Sequence, residues 1–330
     1  MSTLYLPIIA LLTGLLGLVW GADKFITGSV GVARNFGISS MIIGLTVVSI
    51  GTSAPEIIVS INAALSNAGG LAVGNALGSN LANIGLVLGI TALVAPLPVQ
   101  PHLLKEEGPV LLLVTLLAGL CLYDGQLNRG ESIALGLLAI PLIAILVKYK
   151  KNHPTPETAE DSIAATGFSM KTSGLWLLLG LGILLLSAEI TVWGATSIAR
   201  FFDISDLVVG LTIVAIGTSL PELAASVVSA MKGHHDIAVG NIFGSNLFNL
   251  LLVMTTAGAI APMTLPDNVF SRDYFSLLVI TALMIGLVGW TIRKNRHIDS
   301  VARLSRFVGF ILLTSYALYY VLLWSSLIIS

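Results

Sequence analysis

An all-α membrane protein, with ten transmembrane helices in two inverted five-helix repeats, is the architecture to which three features of this 330-residue sequence point. The chain is 55% hydrophobic and only 10% charged, against roughly 25% charged residues in soluble domains. Apolar runs long enough to cross a bilayer recur ten times along it. A hexapeptide, Gly51-Thr52-Ser53-Ala54-Pro55-Glu56, returns 166 residues later (217 − 51) as Gly217-Thr218-Ser219-Leu220-Pro221-Glu222. The net charge of −1 gives nucleic acid no purchase, and a single cysteine, Cys121, rules out an internal disulfide.

A span needs about 17–25 apolar residues. The ten runs lie near 5–33, 41–66, 71–95, 107–124, 132–149, 173–199, 207–231, 237–262, 273–292 and 305–328. The first lacks a basic start and a cleavage site, so it reads as a retained helix rather than a signal peptide. The first, second, sixth and seventh are long or carry polar residues, so tilt and kinks are expected there. The one substantial polar stretch, 150–172, divides the chain into a first repeat over 1–149 and a second over 173–330.

The halves are related by sequence. Met41–Glu56 matches Leu207–Glu222 at 10 of 16 positions, and Val73–Leu86 matches Val239–Leu252 at 9 of 14. Five spans per half is an odd number, so the second half enters the membrane from the opposite face. Loop charge gives the orientation. With the N-terminus outside, cytoplasmic loops hold twelve of the sixteen Lys and Arg residues, and outer loops hold only Arg129, Arg200 and Arg272. Basic residues concentrate on the cytoplasmic side, so both termini are expected on the outer face. Inverted repeats with Gly/Pro-interrupted segments at matching places point to the midplane site of a secondary transporter.

The repeated hexapeptide puts a carboxylate where the bilayer makes it cost at least ~3 kcal/mol, beside a proline that removes a helical N–H. Ser49, Thr52, Ser53, Glu56 and Ser60 share one helix face, and Ala215, Thr218, Ser219, Glu222 and Ser226 share the matching one. Asn75, Ser79 and Asn83 recur at i, i+4 and i+8, as do Asn241, Ser245 and Asn249. Taken singly, a membrane Ser, Thr or Gly packs helices; matched stripes in both halves favour a site. These stripes offer carboxylate, hydroxyl and amide oxygen, with no His or Cys. Such a set suits hard cations: Ca²⁺, Mg²⁺, Mn²⁺ or Na⁺. Pro55 also leaves the Gly51 carbonyl without its helical donor. The residues alone leave symport, antiport and channel open.

The paired motifs, G-T-S-x-P-E followed by G-N-x-x-G-S-N in Gly44–Asn83 and Gly210–Asn249, resemble the calcium/cation antiporter superfamily, in particular its prokaryotic sodium/calcium exchanger branch. The resemblance covers both halves. It implies Glu56 and Glu222 as central Ca²⁺ ligands, with the carbonyls of Thr52 and Thr218. It implies Na⁺ sites at Ser53 and Ser79 with the Ser49 carbonyl, and at Ser219 and Ser245 with the Ala215 carbonyl. Asn83 and Asn249 flank the middle. It further implies transported Ca²⁺ and Na⁺, no cofactor, no enzymatic reaction, and sliding of the first and sixth spans to alternate access in an inner membrane. One departure stands out: many members carry aspartate where this chain has Asn249, which removes a charge and disfavours potassium co-transport.

The alternative from the same residues is a Ca²⁺/H⁺ antiporter using both glutamates. A hydrolase built on Ser53 or Ser219 would need a base beside its serine, and none lies in the stripes. Asp23 and Glu189 occupy matching positions in the first and sixth spans; Asp23 has Lys24 beside it as a neutralising partner.

Overall fold

The computed structural model describes residues 2–66, 68–152, 168–203, 212–213, 215–266, 268–294 and 302–329. Most of the inter-repeat linker (153–167) and the start of the seventh predicted span (204–211) lie outside the described residues.

In chain order the helices at the predicted runs are α1 (Ser2–Phe36), α2 (Ser40–Thr52), α3 (Ala54–Leu65), α4 (Gly69–Val94), α5 (Glu107–Leu122), α6 (Arg129–Lys148), α7 (Met170–Phe201), α8 (Ala215–Thr218), α9 (Leu220–Met231), α10 (His235–Ile260), α11 (Val269–Lys294) and α12 (Arg306–Ile329). A helix therefore occurs at each of the ten predicted runs. Among the described residues, seven are long and apolar enough to cross a bilayer, and an eighth arises if the broken pair α2–α3 is one span. The 16 residues of α5 reach about 24 Å at 1.5 Å per residue, short of the ~30 Å hydrocarbon core. The protein is a multi-pass helical membrane protein. Its helices are joined by two short strand pairs that the sequence reading did not anticipate. Leu97–Pro98 (β1) pairs with Arg303–Leu304 (β4), and Gln126–Leu127 (β2) with Met263–Thr264 (β3), both antiparallel.

Two compact units cut across the chain order: Met1–Pro55 with Pro154–Asn241, and Glu56–His153 with Ile242–Ser330. In the first, α1 and α7 run antiparallel in close apposition. A Cβ on Gly21 would lie 2.7 Å from the Leu184 nitrogen, and one on Gly194 would lie 2.7 Å from the Pro7 carbonyl. Glycine at these points lets two backbones approach where dispersion and Cα–H contacts replace hydrophobic drive. Leu18, Phe25, Ile26, Ile43, Val48 and Leu184 fill the core beside this seam. The outward faces of α1 and α7, among them Leu12, Leu16, Val19, Leu178 and Leu186, are exposed apolar surface of the kind a membrane covers. At one end, Lys24 lies over the rings of Trp20 and Trp176 and pairs with Asp23. Lys232 also pairs with Asp23 and donates to Thr27 Oγ1 at 2.9 Å.

In the second unit, α12 packs on the end of α4. A Cβ on Gly89 would lie 2.8 Å from Leu313 Cγ, and one on Gly309 would lie 2.6 Å from the Gly89 carbonyl. The buried Asp273 carboxylate is held by its neighbour Arg272 (Nε–Oδ1 2.7 Å, Nη2–Oδ2 2.9 Å) and by the Tyr319 hydroxyl at 3.1 Å.

Candidate functional site

The break in each repeat has the same backbone geometry. Ser53 interrupts the helix at φ −81°, ψ 7°, and Ser219 does so at φ −87°, ψ 5°. The cause is local: the proline two residues on cannot donate to the preceding turn, so the ladder is opened there. Each glutamate then sits in the first turn of the helix that restarts. A second irregularity also recurs. A π-helical turn begins at Asn83 in α4 (Asn83–Val87) and at Asn249 in α10 (Asn249–Met254). Such turns concentrate at functional sites, because they re-aim side chains and loosen carbonyls from the i→i+4 ladder.

Most of the expected ligands are inside the protein. Ser49, Thr52, Ser53, Glu56, Ser79, Asn83, Ser219, Glu222, Ser245 and Asn249 are buried, while Ala215 and Thr218 are half-buried. In the first unit, Ser53 Oγ donates to Glu222 Oε1 at 2.9 Å, joining the motifs of the two halves across 169 residues. Thr52 Oγ1 donates to Asn241 Oδ1 at 3.2 Å. The Ser49 hydroxyl turns back to the Thr46 carbonyl, and that of Thr218 to the Ala215 carbonyl, both at 3.2 Å. In the second unit, Asn75 Nδ2 donates to the Glu56 carbonyl and to Ser60 Oγ. Among the described residues, no hydrogen bond reaches the buried side-chain polar atoms of Asn83, Ser219, Ser245 or Asn249, or Oε2 of Glu222. Buried polar atoms are nearly always satisfied, so such a set, with Asn83 and Asn249 at matched positions, calls for an explanation. Oxygens of this kind can replace the hydration shell of a hard cation.

Asn75 and Asn241 stand in the polar stripes of the sequence, which do not show their partners. No periodicity signals that the neighbour of an amide will be a carbonyl on another helix. Asp23 pairs with Lys24 as expected, but Lys232, 209 residues away, shares it.

Buried carboxylates following broken helices, set in a multi-pass helical body, define a membrane transporter for cations. The chain matches the family described as sodium/calcium exchanger protein over residues 6–148 and 172–325, and it belongs to that family. It is 42% identical to Inner membrane protein YrbG of Escherichia coli (strain K12), over 85% of this chain and 87% of that one. It is 29% identical to Sodium/calcium exchanger MaX1 of Methanosarcina acetivorans, over 93% and 97%. It superposes on a solved structure of the sodium-calcium exchanger NCX_Mj, soaked with 10 mM Na⁺ and 10 mM Sr²⁺. There the TM-score is 0.81 and the identity 32%, covering 96% of this chain and 98% of that one. The protein is thus a member of a family of cation exchangers.

Proposed function

We propose that this chain is a secondary active antiporter that exchanges Na⁺ for Ca²⁺ by alternating access, at a midplane site built around Glu56 and Glu222. The observation that carries the reading is the Glu222 carboxylate. It is buried, Ser53 from the other repeat's break holds one oxygen, and its second oxygen has no hydrogen bond among the described residues. A buried charge is strongly destabilising unless compensated, and a transported cation supplies the compensation. The two glutamates, with the carbonyls of Thr52 and Thr218, hold Ca²⁺. Ser53 and Ser79 with the Ser49 carbonyl, and Ser219 and Ser245 with the Ala215 carbonyl, take Na⁺. Asn83 and Asn249 flank the pair. NCX_Mj, named a sodium-calcium exchanger and soaked with Na⁺ and Sr²⁺, supports the choice of ions, since Sr²⁺ shares the oxygen-seeking chemistry of Ca²⁺.

The same reading takes 1–149 and 173–330 as inverted repeats of five spans each, with 150–172 as a cytoplasmic linker. The recurrence of breaks at Ser53 and Ser219 and of π-turns at Asn83 and Asn249 supports it. Both termini lie on the outer side of an inner membrane. The distribution of basic residues and the name of the Escherichia coli relative support that orientation and location.

The test is ⁴⁵Ca²⁺ uptake into liposomes holding the purified protein, driven by outward Na⁺, Li⁺, K⁺ or H⁺ gradients. Uptake is expected to follow Na⁺ with pH clamped, and Glu222→Gln to abolish it. Uptake that follows the proton gradient without Na⁺ identifies a Ca²⁺/H⁺ antiporter instead. Near-normal flux through Glu222→Gln refutes the ligand assignment.

A further inference from the structure

One side-chain arrangement occurs twice. Asn75 Nδ2 donates to the main-chain carbonyl of Glu56 at 3.1 Å and to Ser60 Oγ at 3.2 Å. Asn241 Nδ2 donates to the main-chain carbonyl of Glu222 at 3.4 Å and to Ser226 Oγ at 3.0 Å. A shift of 166 carries each residue onto its counterpart: 75 to 241, 56 to 222, 60 to 226. In both cases the amide bridges one turn of the glutamate helix, from residue i to residue i+4, from a neighbouring helix.

The chemistry fixes which way each amide faces. A main-chain carbonyl can only accept, so the atom opposite it must be the NH₂ group. That leaves Oδ1 for another donor, and at Asn241 it accepts from Thr52 Oγ1 at 3.2 Å. Thr52 is adjacent to Ser53, whose hydroxyl holds Glu222 Oε1. One buried amide thus links the glutamate segment of the second repeat to the break of the first. The last asparagines of the same stripes differ: among the described residues, the amides of Asn83 and Asn249 have no hydrogen bond at all.

The geometry points to Asn75 and Asn241 as positioning residues of the exchange site proposed above, on which this inference rests. They act as hydrogen-bond donors that set the register of the glutamate helices, and they are not cation ligands. The three-residue stripe then divides by role, its first asparagine holding the glutamate and its last facing the ions.

Aspartate separates these roles. It matches asparagine in size, lacks the N–H donors and offers a charged oxygen. As a cation ligand it would bind Ca²⁺ as well as asparagine or better. As a replacement for a donor, it loses the bond to the main-chain carbonyl and sets a carboxylate against it, even where the serine hydroxyl turns to donate. Equilibrium ⁴⁵Ca²⁺ binding to the purified full-length protein is the readout. Asn241→Asp and Asn75→Asp are expected to weaken binding about tenfold or more; an unchanged or tighter Kd overturns the inference. Where the aspartate variants do not elute as a single folded species, Ser226→Ala and Ser60→Ala decide. Each removes one acceptor and is expected to weaken binding about two- to fivefold; an unchanged Kd in both overturns the inference. Glu222→Gln is measured alongside. Retained binding in that variant overturns the exchange site and this inference together. Lost binding there, with wild-type binding in Asn241→Asp, overturns this inference alone.

Discussion

Gly240 is a position where one added methyl should disturb both the helix packing and a buried hydrogen bond beside it. It lies on α10 against α2, within a single unit. A Cβ built on it would lie 2.8 Å from the Met41 carbonyl oxygen and 2.9 Å from the Leu45 nitrogen. The reciprocal glycine, Gly44, faces the Ile237 carbonyl at 2.8 Å in the same sense. These obstacles are backbone atoms, so no side chain can swing aside. Carbon contacts settle near 3.5–4.0 Å, so the two helices must separate by roughly half an ångström or more. The neighbouring residue, Asn241, accepts from Thr52 at 3.2 Å, and that separation takes the pair out of hydrogen-bonding range. Overpacking costs about 1–3 kcal/mol and the lost buried hydrogen bond about 1 kcal/mol more. Gly240→Ala is therefore expected to destabilise by roughly 2–4 kcal/mol. Thermal unfolding in detergent, followed by the fluorescence of the five tryptophans, reads the effect. Gly182→Ala is the control: the residue is exposed on α7 and, among the described residues, nothing lies within 4 Å of its added methyl. Alanine there should stabilise by about 0.5–1 kcal/mol. A wild-type midpoint for Gly240→Ala, or an equal loss in both variants, refutes the close-approach argument.

Two other substitutions probe charge. Asp273→Asn removes the carboxylate that Arg272 grips with two bonds in a buried setting. It should cost about 3 kcal/mol or more, seen as a lower unfolding midpoint and reduced yield of folded protein; an unaltered midpoint counts against the pair. Lys232→Met breaks the pairing with Asp23, but both side chains keep about a third of their exposure. The loss should stay below ~1 kcal/mol and shrink with added salt. A multi-kilocalorie effect on unfolding would show that the contact is buried in the membrane-embedded protein.

Membrane residence, the duplication and the two helix breaks were legible in the chain because each has a local cause. Apolar runs of span length need no tertiary information, and Pro55 and Pro221 open the ladder wherever they sit. The lengths of α1 and α7, 35 and 32 residues, follow from predominantly apolar sequence that Asp23, Lys24 and Glu189 do not break. The span count was less secure, because α5 ends after 16 residues, at the limit where hydropathy stops discriminating. Partnership was not legible. Ser53 meets Glu222 across 169 residues, and the Asn241 amide turns its nitrogen to the Glu222 carbonyl and its oxygen to Thr52. The grouping of Met1–Pro55 with Pro154–Asn241 cuts through the very motif that marks the repeat. Periodicity tells a helix which of its faces is polar; the identity of the atom that face will meet depends on a segment far away in the chain. That is why the oxygens could be named from residue types, while which of them are hydrogen-bonded and which, among the described residues, are not emerged only from the packed structure.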